Sequence, residues 1–90
     1  MKISEKQAEI FKILSVNSRI QILQLIKQRS MCVNALSRHL GITSAAVSQH
    51  LRILRSAGIV TSENRGYHVH YSIKENTWSE WYGILKEVFE

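Results

Sequence analysis

The stretch that decides the fold is VNALSRHLGITSAAVSQHLRILRSA, residues 33–57 of a chain of 90. Its first part predicts a short helix, with apolar positions at Val33, Leu36 and Leu40. Gly41 is suited to end this helix, because glycine adopts the left-handed conformation without steric cost. Thr43 or Ser44 then caps a longer helix, whose inward positions are Val47, Leu51 and Leu54. Two helices joined by a tight glycine turn form a helix-turn-helix.

Two more helices are predicted before this stretch. Ser4 and Gln7 have the spacing of a capping box, and Ser18 and Gln21 repeat it, so each serine is expected to open a helix. The apolar positions of the first helix are Ile10, Phe11, Ile13 and Leu14. The second helix runs to about Gln28 and has a wide apolar face, which predicts a central place in the core.

After Gly58 the hydrophobic period changes from helical to two. A short strand is predicted at residues 59–61, followed by a hairpin turn at Glu63-Asn64-Arg65-Gly66. The return strand alternates, with Tyr67, Val69, Tyr71 and Ile73 on one face and His68, His70 and Ser72 on the other. Thr77 and Glu80 form a third capping-box pair, which opens a last helix with apolar positions at Trp78, Trp81, Tyr82, Leu85, Val88 and Phe89.

The predicted order is therefore α-α-α-α-β-β-α, a mainly α fold with a small β-hairpin. This is a winged helix-turn-helix with an added helix at each end. We expect one domain over residues 1–90, with the helix-turn-helix at 33–57, the wing at 59–73 and dimerisation helices at 4–15 and 77–89. Charges interrupt the N-terminal segment, so neither a signal peptide nor a membrane partner is expected. The single cysteine, Cys32, fits a reducing compartment and a cytoplasmic protein.

Positive charge is concentrated in the centre of the chain. Seven Lys or Arg and no Asp or Glu lie between Ile10 and Ser62, whereas all seven acidic residues lie outside this block. The cations are Lys12, Arg19, Lys27, Arg29, Arg38, Arg52 and Arg55. Such a block attracts a polyphosphate backbone, and its coincidence with a helix-turn-helix makes double-stranded DNA the expected partner.

The longer helix of the pair has a polar stripe opposite its inward positions. The residues expected to contact bases are Ser44, Ala45, Ser48, Gln49 and Arg52. Gln49 can pair bidentately with adenine, Ser48 can donate or accept, and Arg52 can reach guanine or phosphate. Contacts to the DNA backbone are expected from Thr43, Arg38, Arg55, Arg65 and His68. A solvated helix face would explain the stripe alone equally well, but the charge and the wing favour DNA.

Residues 43–60, TSAAVSQHLRILRSAGIV, closely resemble the recognition-helix signature of the ArsR-type winged-helix regulators. Residues 17–23 resemble the family's second-helix entry, and residues 66–73 resemble its wing, so the resemblance covers about residues 8–75. It implies a prokaryotic, homodimeric transcriptional repressor on a near-palindromic operator, with Ser44, Ala45, Ser48 and Gln49 facing bases. The sequence departs from the family at Asn17, where proline is usual, and at Tyr67, where a basic residue is usual. Arg65 is expected to take over that phosphate contact.

The last helix is too apolar to be left in water. The simplest interpretation is a symmetric dimer interface with the first helix, formed by Phe11, Leu14, Trp78, Trp81, Tyr82, Leu85 and Phe89. A protein-interaction module without specific DNA binding is the alternative, and it would show no salt-dependent retention on DNA.

Many members of the ArsR-type family release DNA when a metal binds, but the two common sites lack ligands here. The usual Cys-Val-Cys is Cys32-Val33-Asn34, and residues 76–90 contain no His and no Asp. We therefore expect no metal and no cofactor, and the sequence identifies no effector. The alternative is a thiol- or metal-responsive repressor that uses Cys32 and the histidines, with His68 and His70 at a spacing that can chelate.

Catalysis is not expected. The chain has no Asp, its Glu residues lie towards the two ends, and it contains no glycine-rich phosphate loop or nucleophile constellation. No residue is assigned a catalytic role.

Overall fold

Five helices and one antiparallel hairpin make up the structure, a computed structural model that describes residues 4–90. The helices are α1 (Glu5–Leu14), α2 (Asn17–Gln28), α3 (Val33–Leu40), α4 (Ser44–Ser56) and α5 (Glu75–Lys86), and the strands are β1 (Val60–Arg65) and β2 (His68–Ile73). A 3-10 turn, Glu87–Phe89, follows α5. The order agrees with the prediction, and the fold is a mainly α winged helix-turn-helix. None of the helices in the described range is long and apolar enough to cross a membrane.

Three of the predicted helix ends are confirmed by their hydrogen bonds. The Ser4 Oγ accepts from the Gln7 backbone N–H at 3.1 Å, and the Gln7 side chain accepts from the Ser4 backbone N–H at 3.0 Å, which completes the capping box of α1. Gly41 ends α3 at φ 68° and donates its N–H to the Ser37 carbonyl at 2.9 Å. Thr43, rather than Ser44, caps α4, since its Oγ1 accepts from the Ala46 N–H at 3.1 Å.

The other two predicted capping boxes are wrong. Helix α2 begins one residue before Ser18, and the backbone carbonyl of Val16 accepts from the Arg19 N–H at 3.0 Å with no side-chain cap. Helix α5 begins at Glu75, two residues before Thr77. The Lys74 N–H donates to the Ile59 carbonyl at 2.9 Å and thereby fixes the chain directly after β2, so the helix starts there.

The hairpin is longer than predicted and its turn lies further along the chain. Arg65 pairs with His68, so the two-residue loop is Gly66-Tyr67, and the predicted turn residues Glu63 and Asn64 lie in β1. Gly66 has φ 64° and is followed by a residue with negative φ, the pattern of a type II′ turn, whose backbone twist matches that of the strands. Tyr67 therefore belongs to the loop and not to a strand face, and it is fully exposed.

A single residue pair adds a third strand position to the hairpin. Met31, in the segment between α2 and α3, bridges Tyr71 of β2 on the side away from β1. The Met31 N–H donates to the Tyr71 carbonyl at 3.0 Å, and the Tyr71 N–H donates to the Met31 carbonyl at 2.8 Å. The wing is thus hydrogen-bonded to the start of the helix-turn-helix, a link that no sequence pattern indicated.

The core lies where α2, α3 and α4 meet the base of the hairpin. The fully buried side chains are Ile10, Ile22, Leu36, Val47, Leu51, Leu54 and Ile59. Helix α2 is central as expected, although Ile20 on its apolar arc is 39% exposed. Helix α5 packs on α1, where the Gln7 Nε2 donates to the Ile84 carbonyl at 3.1 Å. Burial of each such aliphatic side chain contributes about 1.5–3 kcal/mol, so this core holds α4 in place.

The left-handed cap between α3 and α4 generates the first prediction. Gly41→Ala should lower the free energy of unfolding by about 1 kcal/mol, because φ 68° strains a residue with a Cβ. Nothing lies within 4 Å of the position of that Cβ, so no steric clash adds to the loss. Gly41→Asn should lose less, since asparagine enters the left-handed region more readily. Urea unfolding measures both, and equal losses in the two variants would contradict this account.

Candidate nucleic-acid interface

Helix α4 presents one polar face to solvent, opposite the side that is buried. Val47, Leu51 and Leu54 are at most 1% exposed and lock the rotation of the helix about its axis. The residues predicted to contact bases, Ser44, Ala45, Ser48, Gln49 and Arg52, are all exposed. Within residues 4–90 none of their side chains takes part in a hydrogen bond, so their donors and acceptors are available to a ligand. We call these five residues the recognition face.

The turn before α4 is held by a side chain as well as by the Gly41 cap. The Ser37 Oγ donates to the Ile42 carbonyl at 2.6 Å and ties the last turn of α3 to the connecting segment. Because α3, the turn and α4 are joined by these bonds and share a core, the recognition face has a fixed orientation relative to the rest of the domain.

All five residues predicted to contact the DNA backbone are exposed. They are Arg38 on α3, Thr43 at the cap, Arg55 on α4, and Arg65 and His68 on either side of the wing turn. The Arg65 Nε lies 3.8 Å from Glu63 Oε1, and both side chains are more than half exposed. Such a surface pair contributes little, so the Arg65 guanidinium is free to turn towards a phosphate.

The basic block of the sequence does not form one continuous surface. Lys27 on α2 donates to the Glu75 carboxylate at 3.1 Å and lies 4.9 Å from the centre of the Trp78 ring. Arg19 on α2 is half-buried and donates from Nη1 to the Ile13 carbonyl at 3.1 Å. These two cations make contacts within the domain, so fewer than the seven predicted charges are available to a polyanion.

His50 of α4 lies next to Arg19 and is half-buried. The Arg19 Nε–H donates to His50 Nδ1 at 3.4 Å, which requires that this nitrogen be unprotonated. Burial, with the Arg19 charge as a smaller cause, lowers the pKa of His50 below its usual value of about 6.5. The neutral imidazole thus joins α2 to α4.

A polar groove separates α4 from the wing. It has a volume of about 500 Å³ and is lined by Ser48, Leu51, Arg52, Arg55, Ser56 and Tyr71. We call it the arginine groove. Ser56 and Tyr71 were absent from the predicted site, because Ser56 lies at a helix end and the alternation of β2 grouped Tyr71 with apolar residues. Only the packing of β2 beside α4 brings them together.

An apolar groove of about 410 Å³ lies between the end of α1, α2 and α5. Five of the seven residues predicted for a dimer interface line it, namely Leu14, Trp78, Trp81, Tyr82 and Leu85, together with Ile20, Leu23, Gln24 and Ile59. Tyr82 is 69% exposed, whereas Trp81 is only 4% exposed and belongs to the core. Trp81 can therefore offer little surface to a partner. Of the remaining two, Phe11 is half-buried and Phe89 is 81% exposed in the 3-10 turn.

Cys32 and the four histidines are spread over the molecule. In the part of the chain from residue 4 onwards, no three His, Cys, Asp or Glu side chains lie close enough to share a metal ion. The His39 Nδ1–H donates to the Ala35 carbonyl of its own helix at 3.0 Å. His70 was predicted to share a strand face with His68, but His68 is exposed, whereas His70 is half-buried and its Nδ1 is out of reach of water.

The fold and the exposed face of α4 together define a winged helix-turn-helix protein. Residues 17–62 match the family described as bacterial regulatory protein, arsR family, and the chain belongs to this family. An uncharacterised HTH-type transcriptional regulator of Mycobacterium tuberculosis, Rv0081, is 36% identical over 83 residues, 91% of this chain and 73% of that protein. Its crystal structure aligns with a TM-score of 0.77 at 34% identity, covering 94% of this chain and 86% of that one.

Two further similarities extend this comparison. The transcriptional repressor SmtB homolog of Synechocystis is 33% identical over 73 residues, which are 81% of this chain. They are 55% of the repressor, so the chain spans about half the length of that relative. The homodimeric winged helix-turn-helix DNA-binding domain of Mb0332 from Mycobacterium bovis has a TM-score of 0.72 at 24% identity, over 98% of this chain and 88% of that one, and shows the fold alone.

The contact between His50 and Arg19 predicts how stability depends on pH. Because the pKa of His50 is lowered on folding, the unfolded chain binds more protons than the folded one below about pH 6.5. The stability that neutral His50 contributes is therefore complete above that pH, and it is lost as the pH falls towards the pKa of His50 in the folded chain. Unfolding with urea between about pH 8 and pH 5 should show wild type losing stability relative to His50→Gln, which keeps an acceptor and never charges. His39→Gln, at an exposed histidine, is the control, and parallel curves for all three proteins would refute the assignment.

Proposed function

We propose that this protein is a sequence-specific, double-stranded DNA-binding transcriptional repressor that acts as a homodimer on an inverted-repeat operator in the prokaryotic cytoplasm. The observation that carries the proposal is the recognition face, five exposed residues without a partner in the described chain on a helix whose rotation is locked by the core. Membership of the arsR family supports it. The proposal assigns no catalytic residue and no cofactor.

In this proposal α4 enters the major groove, with its N-terminal half closest to the bases. Ser44 and Ala45 are small and allow close approach, while Gln49 pairs with adenine and Ser48 donates or accepts beside it. Arg52 lies one turn further along and reaches guanine or phosphate. The hydrogen-bonded α3–α4 turn would hold this helix in a fixed orientation for insertion.

Contacts to phosphates would fix the register of the protein on the duplex. We assign them to Arg38, Thr43, Arg55, Arg65 and His68, all exposed around the recognition face or on the wing. The Thr43 Oγ1 accepts from the helix but keeps its hydroxyl hydrogen for donation. These contacts would provide affinity without sequence preference.

The dimer would form through α1 and α5, as the terminal helices of residues 4–15 and 77–89 were predicted to do. An apolar groove lined in part by exposed Tyr82, with exposed Phe89 in the 3-10 turn after α5, is a surface that water does not favour, and a second copy covers it most simply. The relative from Mycobacterium bovis is homodimeric, which supports the same assembly. Twofold symmetry then predicts half-sites about one helical turn apart, roughly 10 base pairs, or a multiple of that spacing.

Substitution of one residue assigned to bases and one assigned to a phosphate tests these two roles separately. On a duplex selected from a random library by the wild type, Gln49→Ala should lose about 1–3 kcal/mol, and much less on unselected DNA. Arg65→Ala should weaken both complexes alike and reduce the slope of log affinity against log salt by about 1. Titrations at several salt concentrations measure both effects. Equal behaviour of the two variants on both DNAs would overturn the assignment, and no binding to any duplex would favour the protein-interaction module.

A charge placed in the apolar groove tests the dimer. Tyr82→Glu should convert the dimer to a monomer at micromolar concentration, because a carboxylate would be buried without a partner, and the monomer should lose most of its affinity for the selected duplex. Ser79→Glu adds the same charge at an exposed position of α5 outside the groove and should leave the dimer intact. Sedimentation gives the mass of each variant. A monomeric wild type, or a dimeric Tyr82→Glu protein, would exclude this interface.

A further inference from the structure

The arginine groove collects hydrogen-bond donors and positive charge on two facing elements. Ser48, Arg52, Arg55 and Ser56 line one side along about two turns of α4, with buried Leu51 beneath them. Tyr71 of β2 is the lining residue on the wing side. With a volume of about 500 Å³, the groove is large enough for a group of the size of a phosphate and its ester oxygens.

The charges in this groove are not balanced by the protein. In the described chain, the ion pairs join Lys27 to Glu75 and Arg65 to Glu63, and neither Arg52 nor Arg55 has a carboxylate partner. The two arginines are three residues apart on a helix, so their side chains are neighbours. The C-terminal end of α4 disfavours an anion by a fraction of a unit charge, which two guanidinium groups outweigh.

The hydroxyl groups of the groove also lack partners. No hydrogen bond within residues 4–90 involves the side chain of Ser48, Ser56 or Tyr71. Two guanidinium groups and three hydroxyls therefore point to a ligand that only accepts hydrogen bonds and carries negative charge. A phosphate group has this chemistry, and the planar guanidinium fork matches two of its oxygens.

Tyr71 has a firmly positioned backbone. Its backbone N–H and carbonyl are both bonded to Met31, at 2.8 and 3.0 Å, and it pairs with Ser62 on its other side. With strand partners on both edges, Tyr71 cannot move away from α4 without breaking the sheet. The backbone of Tyr71 is thus fixed beside α4 before a ligand arrives, so no strand movement is needed on binding.

We propose that the arginine groove binds one backbone phosphate of the DNA, held between α4 and the wing by Arg52, Arg55, Ser56 and the Tyr71 hydroxyl. The inference rests on the proposed function and deepens it, since it assigns Arg52 to phosphate rather than guanine and adds two residues to the interface. Ser48 and Arg52 belong to both the groove and the recognition face, so a phosphate in the groove lies beside the bases that α4 contacts. This continuity favours the DNA backbone over free inorganic phosphate as the source of the anion.

Neutralising single phosphates in the DNA tests the site. In a selected duplex, each phosphate is replaced in turn by an uncharged methylphosphonate. We expect one position per half-site, the phosphate bound in the groove, at which the replacement lowers the affinity of wild type about tenfold. Tyr71→Phe, which removes only a hydroxyl, and Arg55→Gln should each bind the unmodified duplex less tightly. Neither should lose further affinity when that position is neutralised. Gln49→Ala is the matched control and should still lose the full tenfold there.

The outcomes distinguish failure of the phosphate site from failure of the proposed function. If Tyr71→Phe and Arg55→Gln lose as much affinity as wild type at every neutralised position, the groove holds no phosphate. The proposed function would still stand in that case, provided that Gln49→Ala binds the selected duplex less tightly than wild type. If wild type binds no duplex at all, the proposed function fails and this site with it. Thermal melting should show that both groove variants keep the stability of wild type, since the Arg55 side chain is exposed and the Tyr71 hydroxyl has no partner within residues 4–90.

A second measurement distinguishes the two sources of phosphate. Inorganic phosphate is added at constant ionic strength while the NMR signals of the Arg55 Nε–H and the Tyr71 ring are followed. We expect no saturation below about 10 mM, because one free phosphate lacks the other contacts of the duplex. Saturation at lower concentration, without coupling to any neutralised DNA position, would assign the groove to a free anion and overturn the proposal.

Discussion

The burial of one edge of α4 is the constraint on which the interface depends. Val47, Leu51 and Leu54 fit between α2, α3 and the base of the hairpin with almost no exposed surface. Because successive residues of a helix are about 100° apart, a rotation by one residue would bury a polar side chain and expose an aliphatic one. The core therefore selects which side chains face outward, and the polar stripe of α4 is the geometric complement of its apolar one.

The helices and their order could be predicted because hydrophobic period is a local property of sequence. The same holds for Gly41, whose place after Leu40 matches the conformation that the structure shows. The starts of α2 and α5 could not be predicted in this way. The Ser18 and Thr77 motifs have the right spacing, but backbone bonds made by Val16 and Lys74 start each helix earlier. In both cases the position of the preceding segment determined where the helix begins, and the local capping motif did not.

The hairpin and the site show a similar division. The composition of residues 63–66 suggested a four-residue turn, but cross-strand pairing places the loop at residues 66 and 67. For the site, periodicity alone placed the exposed stripe of α4, since it needs only one helix. The pairing of Lys27 with Glu75, and the approach of Tyr71 to Arg55, join residues far apart in the chain. Such contacts depend on how the helices and strands pack against one another, and they cannot be predicted from composition or spacing.

Arg19 links two helices of the domain. Its guanidinium group binds the Ile13 carbonyl at the end of α1 and the His50 ring on α4, so it is a joint between a terminal helix and the helix of the recognition face. Thirteen residues make α4 about 20 Å long, and His50 lies at its middle, so a tilt of about 5° at this joint would displace either end by roughly 1 Å. That displacement exceeds the tolerance of a hydrogen bond. The two Arg19 contacts therefore add to the buried core in fixing the direction of the recognition face. In a symmetric pair they would also bear on the distance between the two recognition faces.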